Sequence, residues 1–191
     1  MTPLETFCRQ VRARSGDHRR AFLLLNEAGV ISQQMSILRQ ELDSMVRVIY
    51  LLSIQDVTRR NQLIEDSVNG IQWRSEDGRG RITDREMVEL ADQLQGWVGS
   101  VYRFGCAFIH LSWFHDLHER DPMTLISENE RLSILQHMRA YHFGPQTNTP
   151  TINDLVPYLP SVFHKIANNL DCYVRDLEQG KSLDKRDLKV S

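Results

Sequence analysis

The sequence predicts an all-α fold: an antiparallel helical bundle of about five to six helices with irregular connections. Proline is absent from Leu4 to Asp121, so nothing in that span forbids long helices. Apolar residues recur at three- and four-residue intervals over most of the chain, the period of a helix with one buried face. Period-two alternation is scarce, and no Asn-Gly pair lies between β-branched runs, which removes the usual hairpin signal.

A short helix is predicted over about 4–14, with Ser15-Gly16-Asp17 as a break and residues 1–18 as a flexible tail. Phe22, Leu25, Ala28/Gly29, Ile31/Ser32, Met35, Leu38, Leu42, Met45, Val46, Ile49 and Leu52 form one stripe, which predicts a single long helix over about 19–54. The next helix, over about 55–69, places Val57, Ile64 and Val68 on its apolar side and ends at Asn69-Gly70, a pair suited to a left-handed C-cap. Trp73 to Arg81 is charged, glycine-containing and aperiodic, the pattern of a mobile surface loop.

Thr83-Asp84-Arg85-Glu86 is a capping box, in which threonine and glutamate satisfy each other's backbone N–H groups, and it opens a helix. Met87, Leu90, Leu94, Trp97, Val101, Phe104 and Phe108 carry that helix to about Leu117. Gly96, Gly99 and Gly105 inside it mark close backbone approach or a kink, since each costs about 1 kcal/mol relative to alanine. A second capping box, Ser127 to Glu130, opens a helix to about Tyr141; the segment from Phe143 to Thr151 is loop. Pro157 and Pro160 interrupt the chain before a last helix at about 161–177, and 180–191 reads as a charged, flexible tail.

The 191 residues suit one domain, 1–191. With 23 basic and 25 acidic residues, the net charge of −2 supplies no global field, so any nucleic-acid contact needs a local patch. Cys8, Cys106 and Cys172 lack metal or redox spacing and fit a reducing compartment. The chain has no apolar run of about 20 residues and no signal-peptide pattern at its start, so the expectation is a cytoplasmic protein with no membrane partner.

The segment of most chemical interest runs from Trp97 to His118. Arg103 and His110 lie seven residues apart, which on a helix puts them within about 20° of one face and about 10 Å apart along the axis. Two readings fit. In the structural one, Arg103 snorkels or pairs with a carboxylate such as Glu41 and His110 is a satisfied core histidine. In the functional one, the guanidinium holds a phosphate while the imidazole moves a proton.

An all-α domain with Arg103-x6-His110 on a late helix resembles the HEPN superfamily, whose motif is arginine, four to six residues, then histidine. The stretch from Arg39 to Arg47, containing Glu41, resembles the glutamate-bearing helix of several prokaryotic HEPN-like families. The resemblance covers about residues 20–120 and implies a metal-independent, cofactor-free endoribonuclease, a cytoplasmic homodimer binding RNA and acting as a toxin or phage-defence component, with a regulatory protein as a further partner. Carried over, His110 is the acid/base and Arg103 stabilises charge on the phosphorane. Active members often carry a polar residue such as Asn after the arginine; here it is Phe104.

Other features admit other chemistry. His115 and His118 share a helical face with Glu119, and His110, His137, His142 or His164 would have to complete a metal site, but the HExxH order is missing. Arg9, Arg12, Arg14, His18, Arg19 and Arg20, and separately Arg74, Arg79, Arg81 and Arg85, form basic clusters interspersed with acids. The aromatic run from Trp97 to Phe114 also fits a non-catalytic regulatory or scaffold protein that binds a partner protein through an aromatic surface.

Overall fold

A computed structural model describes residues 1–110, 112–116 and 119–184. Apart from an isolated bridge between Arg74 and Arg81, the regular structure of these residues is helical.

Helix α1 spans Pro3–Glu27 and opens on a capping box between Thr2 and Glu5. The break expected at Ser15-Gly16-Asp17 and the flexible tail over 1–18 are therefore corrected to one continuous helix. Gly16 costs about 1 kcal/mol there, but Phe7, Cys8, His18 and Phe22 bury one face against neighbouring helices, and packing outweighs propensity. The single helix expected over 19–54 is corrected in turn. Gly29 takes φ +68° and ends α1, and α2 starts afresh at Ile31–Ser53. Helix α2 is the centre of the fold, packed by α1, α4 (Asp84–Gln95), α5 (Val98–Ile109) and α9 (Leu159–Glu178), with Leu42, Met45, Val48 and Ile49 fully buried.

Helix α3, Val57–Val68, is capped by the Asp56 carboxylate and ends at Asn69-Gly70 as expected. Trp73 is buried and its indole donates to the Leu63 carbonyl at 2.8 Å, so the segment expected to be a mobile loop is anchored at its first residue. The Thr83–Glu86 capping box opens α4. Gly96, in the left-handed region at φ +71°, then divides the expected 84–117 helix into α4 and α5, which ends at Ile109. A single 3-10 turn follows at Trp113–His115.

Asp121 caps a one-turn α6, Pro122–Leu125, and Ser127 caps α7, Glu128–His142. After one-turn α8, Ile152–Leu155, the last helix, α9, carries Pro160 in its first turn, where the missing N–H leaves no bond unmade. Among the described residues seven helices have twelve residues or more, against the five to six expected: the predicted 4–14 helix fuses with the first part of 19–54, whose remainder begins anew after Gly29, and the 84–117 span splits at Gly96. Beyond α9, Leu183 N–H donates to the Leu52 carbonyl at 2.8 Å and Arg60 to the Lys181 carbonyl at 2.7 Å, so the expected tail is tied to the fold as far as 184. Its remainder, 185–191, lies outside the described residues. Nearly all the buried apolar residues form one cluster from Phe7 to Leu177, and among the described residues no helix is long and apolar enough to cross a membrane.

Candidate functional site

Helix α5 is positioned by its apolar face. Phe104, Phe108 and Phe114 meet edge to face with centroids 5.1 to 5.6 Å apart, and Trp97 is buried with them. These aromatics build the core, so the partner surface expected from this run is not made by them. Gly105 permits close contact with α2: a Cβ there would sit 2.8 Å from Arg39 Cβ. The N-terminus of α5 has no side-chain cap of its own; Asp92 on α4 supplies one, its carboxylate accepting from Gly99 N–H at 2.9 Å.

Arg103 and His110 are both exposed, Arg103 within α5 and His110 at its C-cap. Of the structural reading, two particulars are corrected: His110 is not a core residue, and Glu41 is not the carboxylate beside Arg103. Glu41 is fully buried and accepts from Ser15 Oγ and from His18 Nδ1, the latter at 2.7 Å. Arg103 instead extends over bare Gly99, its Nη1 3.3 Å and Asp92 Oδ2 3.0 Å from the point where a Cβ would stand. His110 is the C-cap of α5, already extended at φ −97° and ψ 145°, and its carbonyl accepts from His115 Nε2 at 3.1 Å. The helix thus ends just before the histidine, which leaves the imidazole at the edge of the surface.

The other sequence candidates disperse. His115 lies on the 3-10 turn, not on a helix with its expected neighbour, and His118 is outside the described residues. Among the described residues no three His, Cys, Asp or Glu side chains are placed to hold a metal ion. Within the basic clusters, Arg12 pairs with Glu178, Arg20 with Asp17, and Arg85 with Glu89. Arg14 and Arg81, from different clusters, line one cleft of about 670 Å³ with Arg47, which is itself bound to Asp84 at 2.9 Å.

Residues that the sequence reading did not bring together now stand out. Arg39 is buried under α5 with its guanidinium 4.0 Å from the Tyr102 ring centre and 3.7 Å from Asp43. Burial opposes its charge, but Cys106, Asp43 and Tyr102 outweigh that and hold it protonated. His137 and His142 of α7 and Lys165 of α9 edge an apolar cavity on a different flank of α5 from Arg103. Burial lowers the pKa of Lys165, and burial with the Lys165 charge lowers that of His142. Nothing in the sequence linked the two histidines to Lys165, because α7 and α9 meet only in the fold.

No protein-family profile, no curated protein and no solved structure matches the chain.

Proposed function

We propose that the α5 flank bearing Arg103 and His110 is half of a metal-independent endoribonuclease site, completed by a second copy of the chain. The observation that carries this is exposure: core packing leaves both polar residues of the run at the surface, Arg103 in the middle of α5 and His110 at its C-cap. In the reaction, His110 takes the proton from a ribose 2′-hydroxyl, whose oxygen attacks the adjacent phosphorus. The 5′-oxygen leaves with a proton from the second copy's acid, producing a 2′,3′-cyclic phosphate. Arg103 meets the charge on the phosphoryl oxygens. A cytoplasmic toxin or phage-defence role, restrained by a regulatory protein, fits such an activity.

A second reading, a non-catalytic partner-binding protein, rests on Phe143. Its side chain is 89% exposed, and its backbone sits in the left-handed region at φ 64°. The two separate in an RNA cleavage assay run in EDTA. Cyclic phosphate ends that disappear in His110→Ala support the nuclease; cleavage that depends on added metal excludes it.

A further inference from the structure

We infer that the cavity between α5, α7 and α9 is a binding site for a small organic carboxylate, with an apolar tail inside and the carboxylate at Lys165. This site is independent of the nuclease reading.

Met35, Trp97, Phe104, Met138 and Val162 are among the walls, and none of the lining residues is acidic. A shallower groove shares Tyr141, His142 and Lys165 with the cavity and adds Ser161, His164 and Asn168, again without a carboxylate. In a chain with 25 acidic residues, this is a continuous surface without a negative group. At its centre the Lys165 ammonium lies 3.7 Å from the Tyr141 ring centre and 5.6 Å from that of Trp97, and among the described residues it has no ion-pair partner. The rings fix the cation at the mouth without neutralising it. His137 also belongs to the lining, and its Nδ1 is buried with no hydrogen-bond partner among the described residues. Buried polar atoms are normally satisfied, so this nitrogen is a second group that a ligand oxygen would complete.

Size narrows the class. The cavity holds about 70 Å³. A dry apolar cavity of about 150 Å³ admits benzene, so this one suits a branched tail of about three or four carbons, with methionine walls able to adjust. Isovalerate has that shape and one charge. The alcohol and amine of the same skeleton fill the cavity equally well but do not answer Lys165.

The test is a titration of the full chain, followed by amide and indole NMR shifts, with isovalerate, isoamyl alcohol, isoamylamine and acetate. Saturable binding of isovalerate is expected, tighter than acetate or the alcohol by about tenfold, with the amine excluded. Lys165→Gln should weaken isovalerate by about tenfold or more while leaving the alcohol unchanged, and Val101→Phe, which fills the cavity from α5, should abolish both. Absence of saturable isovalerate binding overturns the inference, as does equal binding of acid and alcohol. Because the ligand series uses the unmodified chain, it decides the matter even where a variant fails to fold.

Discussion

Gly105→Ala separates helix propensity from packing. In an unconstrained helix this substitution stabilises by about 1 kcal/mol. At Gly105 the new methyl would stand 2.8 Å from Arg39 Cβ and 3.3 Å from its Cγ and Cδ. Ordinary carbon contacts lie near 3.5 to 4.0 Å, so the overlap is about 1 Å, and the nearest atom is attached to the α2 backbone. The central helix must retreat, at an overpacking cost of about 1–3 kcal/mol. The Arg39 stack on Tyr102 is strained with it, at roughly 0.5–1 kcal/mol more. After the propensity gain, a net loss of about 0.5–3 kcal/mol remains, which lowers the urea midpoint by roughly 0.25–1.5 M for a slope of about 2 kcal/mol/M. Gly16→Ala is the control: nothing lies within 4 Å of that Cβ, so it should gain about 1 kcal/mol. A Gly105→Ala protein as stable as the wild type would refute the close crossing of α2 and α5.

Glu41→Ala leaves Ser15 and buried His18 without their acceptor, and chemical denaturation should show a loss of about 3 kcal/mol. Phe143→Gly relieves a left-handed backbone at an exposed C-cap and should raise the unfolding free energy by roughly 0.5–1 kcal/mol; the same variant should impair capture of any partner that uses this ring. The folded-state pKa of His142 is depressed below its unfolded value near 6.5, so between the two the unfolded chain binds more protons. Its contribution is therefore intact above pH 6.5 and diminishes as pH falls through that value. Urea midpoints from pH 8 to 5 should fall less steeply in His142→Asn.

Local chemistry was legible in the sequence where it acts locally. Thr83, Ser127 and Asn69-Gly70 mark true helix ends because a cap depends on residues within one turn. Glycine alone was ambiguous. Gly16 stays helical, whereas Gly29 and Gly96 turn left-handed, and that choice is set by which faces must be buried on either side. Arg103 and His110 were visible as polar residues in an apolar run, but the end of α5 before His110 was not. Arg39 was hidden within the apolar stripe of α2, and the group formed by His137, His142 and Lys165 exists only once α7 and α9 pack together.

The central claim is most directly tested by the cleavage rate of a labelled RNA in EDTA, measured for the wild type and for His110→Ala. Because His110 is exposed, the two should unfold within about 0.5 kcal/mol of each other. The account predicts cyclic phosphate products from the wild type and a rate at least a hundredfold lower, to order of magnitude, in the variant. Equal rates in the two proteins, or an inert wild type, would contradict it.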